Sequence, residues 1–277
     1  MNFYHITEHD LHDTNPLFQK SCEQRNILYL EITAETFDYQ RTPRPEKGDL
    51  IYRSGADIAC IRLEKFLFKH GVCGLYQQPF FECLEQTILL QKAGIPTPKT
   101  VYSLRADRRL LTRHIEYLGG FPLVIKIPGS EGGMGLIQVD SYPALTSLLD
   151  HLGGSPLLME YIEHRCSYRL VVLGDEVIAT KTLYPATADF RSNSHGGQSD
   201  YQPEVPTAAK EMALHAAQIL QLEFGGVDIL AQPDGRLMFA ELNFPCYFAD
   251  QQNEGGVDIS GKILDYLRAK SRTEKTT

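Results

Sequence analysis

The chain has 277 residues, enough for one large domain or two to three small ones. Its apolar content of 43% supports a real core, and its net charge of −8 argues against wholesale binding of nucleic acid or of an anionic membrane. The six cysteines (22, 60, 73, 83, 166 and 246) are scattered without a CxxC pair, which fits reduced thiols in a cytoplasmic setting better than a disulfide framework or a zinc site.

The first ten residues, MNFYHITEHD, are polar and lack an apolar h-region, so no signal peptide is expected. No apolar run approaches the roughly 18 residues of a membrane span. His5, His9 and His12 could share a helical face, but they lack HExxH order. This start is read as a solvated segment rather than a metal site. Residues 1–78 mix strand candidates (NILYLEIT, DLIYRS) with a helical one (ACIRLEKFLFKHGV), an α/β pattern. Arg53, in DLIYRSGAD, either faces a substrate carboxylate or serves a structural role.

PFFECLEQTILLQKAGI has helical spacing and ends at Gly94, and Pro96 and Pro98 then enforce an extended segment, PTPKTVYSL. That Pro-rich joint is the first boundary. A helix candidate follows (ADRRLLTRHIEYLG). Next come the strand PLVIKI, a Gly-rich loop, the strand LIQVD, a helix (YPALTSLLDHLG) and the strand PLLMEYI. RLVVLGDEVIATKTLY reads as a hairpin turning at Gly174-Asp175. TAAKEMALHAAQILQLEF reads as an amphipathic helix, and GVDISGKILDYLRAK as a closing helix. The tail RAKSRTEKTT is expected to fray. There are no repeats and no low-complexity segment.

Four stretches carry chemistry. In VIKIPGSEGGMGLIQV, Gly129, Gly132, Gly133 and Gly135 lie between two strands. A P-loop or a Rossmann fingerprint needs a helix after its glycines, so this reads as a hairpin flap whose N–H groups can fold over an anion. Lys126 would project beside it; the alternative is a snorkelling lysine on an edge strand. PLLMEYIEH ends a strand at Glu160, where exposed backbone could meet an adenine edge or simply end the strand. The loop ATADFRSNSHGGQSD concentrates Arg191, Asn193, His195 and Gln198. Arg191 suits a carboxylate or phosphate. Arg169, in YRLVVL, needs a partner if it points inward, and a structural ion pair is one candidate.

The fourth stretch is GGVDILAQPDGRLMFAELNF, residues 225–244. It reads as a hairpin turning at Asp234-Gly235. A two-residue turn places Asp228 opposite Glu241, with Asn243 on the same face beside Leu230, Leu237 and Phe239. Like charges directly opposite each other are unfavourable. A Mg²⁺ ion among Asp228, Glu241 and Asn243 would relieve the repulsion. The alternatives are one protonated carboxylate, or a three-residue turn whose shifted register parts the pair. A kinase would explain the lysine and flap, but there is no HRD loop or DFG, DFR at 189–191 is no equivalent, and a kinase lysine follows its flap. No GxSxG elbow points to a serine hydrolase.

In order, LVIKIPGSEGGMG, MEYIEHRCSYRLVVLGDEVIA, DFRSNSHGGQ, GGVDIL…FAELN and GVDISGKILDYL resemble the ATP-grasp superfamily, specifically its RimK-type carboxylate–amine ligases, including the LysX-like ones. The resemblance covers roughly residues 80–270. It implies an α/β (α+β) ATP-grasp fold. A pre-ATP-grasp domain at 1–79 would precede a central lid domain at 80–158 and an antiparallel-sheet domain at 159–277. It also implies ATP held by Lys126 and the flap (Gly129, Ser130, Glu131, Gly132, Gly133, Met134, Gly135), with Glu160, Tyr161 and Ile162 lining the adenine slot. Two Mg²⁺ ions, or Mn²⁺, would sit on Asp228, Glu241 and Asn243. Arg191 and Asn193 would face the γ-phosphate and acyl phosphate, with Arg169 aiding the developing charge.

Relatives usually carry a phosphate-binding lysine where this chain has Cys83. They often have an acidic residue at the position of Ser167, near the ribose or acyl acceptor, and an arginine near His195-Gly196-Gly197. The implied activity is ADP-forming amide synthesis through an acyl phosphate. Its substrates would be an amino acid and a carboxylate or peptide acceptor, with no nucleic acid or membrane partner and a homo-oligomer left open. Alternatives are a peptide-modifying macrocyclase and a nucleotide-binding regulatory module without turnover.

Overall fold

In a computed structural model of the chain, residues 1–8, 13–40, 45–75, 83–102, 107–127, 135–152, 156–186, 189–192 and 197–273 are described. The first sheet is parallel, in the order β2-β1-β3, from β1 (Asn2–Ile6), β2 (Leu28–Ile32) and β3 (Leu50–Arg53). His9 and His12 lie outside the described residues, but the stretch Asn2–Ile6 is not a solvated segment. It is the central strand, with Phe3, Tyr4, His5 and Ile6 fully buried. A parallel strand covered on both faces shows no polar/apolar alternation, and the imidazole in this run is satisfied by partners distant in sequence. The His5 ring nitrogens lie 3.0 Å from the Tyr29 hydroxyl and 2.6 Å from the Ser54 hydroxyl.

One face of this sheet packs on α1 (Asn15–Gln24) and α8 (Ile259–Thr273), through Phe3, Phe18, Leu264 and Leu267. The other packs on α2 (Ile58–Lys69), through Ile6, Ile51, Leu63 and Leu67. Helix α8 carries RAKSRT within its last turns, so the expected frayed tail is helical to Thr273. Arg53 takes the structural role. It pairs with Glu64 at 2.9 Å and lies over the Phe244 ring, with both members of the ion pair almost fully buried.

The second sheet has the order β4-β7-β5-β6, from β4 (Thr100–Tyr102), β5 (Leu123–Lys126), β6 (Leu136–Val139) and β7 (Leu157–Glu160). All of its pairings are antiparallel. Two-residue alternation sorts the side chains of β5 and β7. Leu123, Ile125 and Leu158 pack beneath α4 (Arg108–Tyr117) and α5 (Tyr142–His151), while Val124, Leu157 and Met159 take the opposite face. Asp107 and Ser141 cap those helices by accepting the N–H groups of Leu110 and Ala144. Strand β5 is interior, so Lys126 is not a snorkelling edge residue.

The third sheet is antiparallel, in the order β10-β9-β8-β11-β12. Its strands are β8 (Cys166–Leu173), β9 (Glu176–Tyr184), β10 (Gln198–Tyr201), β11 (Phe224–Ala231) and β12 (Leu237–Asn243). Helix α6 (Thr207–Ile219) lays Ala209, Ala213, Ala216 and Ala217 on one face; small residues allow this close packing. Helix α3 (Cys83–Lys92) lies beside β12, and α7 (Ala249–Gly255) leads to α8. The end of the polar loop after β9 is strand β10, which pairs with β9.

Candidate active site

The hairpin β11–β12 does bring Asp228 opposite Glu241, but by another route than a two-residue turn. The tip is a three-residue loop. The Gln232 N–H donates to the Arg236 carbonyl at 2.9 Å, and the Gly235 N–H donates to the Gln232 carbonyl at 3.0 Å. Gly235 has φ +87°, which a glycine adopts without strain. Near the tip the register is shifted, pairing Ile229 with Phe239 and Ala231 with Leu237. A bulge between Ile229 and Asp228 adds one residue, Ala240, to β12 and restores the carboxylate pairing. Leu237 and Phe239 therefore face the core with Val227 and Ile229, not the site. Ala240 and Glu241 both line the cleft.

Each carboxylate has a cation. Arg169 is the direct neighbour of Asp228 on β8. Its Nε donates to Oδ1 at 2.8 Å and its Nη2 to Oδ2 at 2.6 Å. Asp228 raises the Arg169 pKa above its ordinary value despite burial. Lys126, from the second sheet, places Nζ 3.1 Å from Glu241 Oε2. Burial pulls the Lys126 pKa down, but Glu241 and the Cys83 thiol outweigh it and leave it raised. Burial pushes the Cys83 thiol up, against the pull of Lys126.

Lys126, Asp228 and Glu241 line a cleft of about 130 Å³ between the second and third sheets. Val124, Leu136 and Met159 form one apolar wall; Leu183 and Leu230 form the other. Glu160, Tyr161 and Ile162 lie along the connection between the sheets and line the cleft, as does buried Ser167. Glu160 is tied to Lys99 by its N–H at 2.9 Å and by its carboxylate at 3.1 Å. Phe190 meets Tyr161 edge-on at 6.1 Å, and His164 bridges the Ile162 carbonyl and the Ser192 hydroxyl.

Arg191 lines the cleft and is oriented by Asp189 through Nε at 3.0 Å and Nη2 at 2.9 Å. Asn243 pairs with Gly226, two residues beyond Glu241. The flap residues Gly129, Ser130, Glu131, Gly132, Gly133 and Met134 lie outside the described residues, as do Asn193 and His195. The flap's last residue, Gly135, accepts the Ile127 N–H at 2.9 Å.

Sequence reasoning placed Leu230 on the face of Asp228, where it lines the cleft, but missed Val124, Met159, Leu183 and Phe190 as lining. The first three of these are legible by alternation, since they share strand faces with Lys126, Leu157 and Lys181. It also missed Gln86, whose side chain joins α3 to β12. An apolar slot ending in two carboxylates and a lysine suits a ligand with an aromatic base and a metal-bound polyphosphate. The donor set fits a divalent cation: Asp228 and Glu241 are hard oxygen ligands, and the site already draws two cations.

Residues 82–267 match the family model of the RimK-like ATP-grasp domain. A ribosomal protein bS6–L-glutamate ligase of Escherichia coli O1:K1 / APEC is 31% identical over 191 residues, covering 67% of this chain and 63% of that protein. The chain thus matches less than two thirds of the length of these curated relatives. A structure of the ATP-grasp ligase PsnB complexed with minimal precursor, Mg and ADP has a TM-score of 0.72 at 18% identity, covering 98% of this chain and 97% of that one. The macrocyclase MdnC bound with precursor peptide MdnA, from Microcystis aeruginosa MRC, has a TM-score of 0.73 at 15% identity, covering 96% and 99%. The fold is the ATP-grasp fold, and by sequence the chain belongs to the RimK-like ATP-grasp family.

Proposed function

We propose that the chain is an ATP-dependent carboxylate–amine ligase that makes an amide bond through an acyl phosphate. The observation that carries the reading is the facing pair Asp228 and Glu241, set at the end of an apolar cleft beside Lys126. The substrates are an amino acid and a protein, peptide or carboxylate acceptor; the bS6–glutamate ligase among the relatives supports a protein or peptide.

A carboxylate is a poor electrophile. Transfer of the γ-phosphoryl group of ATP to a carboxylate oxygen gives an acyl phosphate and ADP. An amine then attacks the acyl carbon, and the tetrahedral adduct collapses to the amide with loss of phosphate. Val124, Met159, Leu183 and Leu230 hold the base, and the backbone at Glu160–Ile162 meets its edge. Lys126, the flap 129–135 and Ser167 hold phosphates and ribose. Asp228, Glu241 and Asn243 hold Mg²⁺, two ions in this reading, or Mn²⁺. When bound, the metal neutralises charge on the transferring group. Arg191, pre-oriented by Asp189, and Asn193 stabilise the developing negative charge. Arg169 holds Asp228 in place and adds positive charge to the same region.

The three sheets support a division into units 1–79, 80–158 and 159–277, with β7 crossing the second junction. Among the described residues no helix is long and apolar enough to cross a membrane. A cytoplasmic location remains part of this proposal.

The test is product analysis with Mg-ATP, amino-acid pools and carboxylate or peptide acceptors. Pool-dependent ADP and phosphate, with a condensation product by mass spectrometry, supports the reading. AMP and pyrophosphate would replace the acyl phosphate with an adenylate. ATP binding without turnover on protein, peptide and small acceptors would favour a regulatory module.

A further inference from the structure

The two cation–carboxylate pairs of the site differ in construction. Arg169 and Asp228 sit opposite each other in one sheet and share two short hydrogen bonds. Such a fork fixes both groups in one plane. Lys126 and Glu241 come from different sheets and share a single contact of 3.1 Å. Lysine is a point charge on a flexible stem. The Glu241 side chain keeps 36% exposure, against 14% for Asp228. The first pair is built to stay and the second can part.

Charge limits when it parts. Two carboxylates and two cations sum to zero. A divalent cation arriving alone adds two positive charges to a neutral cluster and must compete with Lys126 for Glu241. A nucleotide arriving alone must draw Lys126 away and leave Glu241 without its partner. A metal–nucleotide complex brings a cation for Glu241 and phosphate for Lys126 together, so no buried charge is left unpaired.

We infer that the Lys126–Glu241 pair is an exchangeable plug: each residue suppresses binding of the other's ligand, and the pair makes metal and nucleotide bind cooperatively. The inference rests on the metal and nucleotide roles proposed above. Its consequence has an unusual sign. Removing one partner strengthens binding of the other partner's ligand when that ligand is offered alone.

The experiment uses the full chain, its Lys126→Gln variant and its Glu241→Gln variant. Mn²⁺ alone is titrated and followed by electron paramagnetic resonance, and ADP is titrated in EDTA by calorimetry. Lys126→Gln is expected to bind Mn²⁺ alone more tightly, on the order of threefold to fivefold. Glu241→Gln is expected to bind metal-free ADP more tightly by a similar factor. Wild-type protein is expected to bind Mn²⁺ more tightly with ADP present, by a factor that shrinks in Lys126→Gln. A purely supporting role for either residue predicts weaker binding throughout. Unchanged or weaker Mn²⁺ binding in Lys126→Gln, or unchanged or weaker metal-free ADP binding in Glu241→Gln, overturns the inference. Either variant suffices if the other does not fold. Wild-type protein that binds no Mn²⁺ even with ADP overturns the metal assignment as well, so the two failures are distinguishable.

Discussion

Gln86 on α3 makes both backbone hydrogen bonds of Leu242: its Nε2 donates to the Leu242 carbonyl at 2.9 Å, and its Oε1 accepts the Leu242 N–H at 3.1 Å. Strand β12 is an edge strand, and Leu242 lies between Glu241 and Asn243. One side chain thus stands in for a missing neighbour strand beside two proposed metal ligands. Gln86→Leu leaves two buried backbone groups unpaired and is expected to cost about 1–3 kcal/mol per group. Urea unfolding measures the loss. Mn²⁺ binding with ADP should weaken in the same variant, since the ligand-bearing strand is no longer held.

Asp228→Asn and Glu241→Gln test the chemistry from the hairpin side. Each removes a negative charge and leaves its shape. ADP-forming turnover is expected to fall by on the order of 10²–10³-fold in either variant. Retained turnover would remove the carboxylates from the metal assignment.

The Arg53–Glu64 pair tests the amino-terminal sheet. Both side chains are nearly inaccessible, at 5% and 6%. Arg53→Met strands a buried carboxylate whose pKa burial already raises against the pull of Arg53. The expected cost is about 3–5 kcal/mol in denaturant unfolding. Adding Glu64→Leu should recover part of it, because an apolar pair has no charge to desolvate.

His5 makes stability depend on pH. Burial lowers its pKa to about 3 from an ordinary value near 6.5. Between those values the unfolded chain binds a proton that the folded chain does not. The His5 contribution is therefore complete above pH 6.5 and declines as the pH falls toward 3, by up to about 1.4 kcal/mol per pH unit. His5→Gln should flatten the change between pH 7 and pH 5 in unfolding midpoints.

Cys83 is the half-buried thiol, whereas Cys22, Cys60, Cys73, Cys166 and Cys246 are buried. Iodoacetamide is expected to label Cys83 first. Its raised pKa makes labelling slow at neutral pH and faster as pH rises. Mg-ATP should protect it, because Cys83 adjoins Lys126. Peptide mapping with and without nucleotide reads both effects.

Local signals carried much of this fold. The Pro-Asp-Gly tip marks the hairpin, the alanine-rich face marks α6, and the strand–flap–strand order around Lys126 matches β5 and β6. What escaped depends on distant partners. His5 looks solvated until Tyr29 and Ser54, 24 and 49 residues away, supply its hydrogen bonds. The bulge at Ala240 has no local signature, because Leu-Met-Phe-Ala-Glu-Leu-Asn alternates plausibly without it. Gln86 reads as one more polar residue on a helix until β12 lies beside it.

The bulge has a practical corollary at the other end of the hairpin. Strand β11 is gripped by β8 along its whole length, so Asp228 takes its position from an interior strand. The tip, where Asp234 and Arg236 pair with side chains more than half exposed, bears none of that alignment. Extra residues between Asp234 and Gly235 would lengthen the loop and leave the carboxylates where they are. That makes the tip a natural insertion point for an epitope or fluorophore that reports on the protein without entering the proposed site.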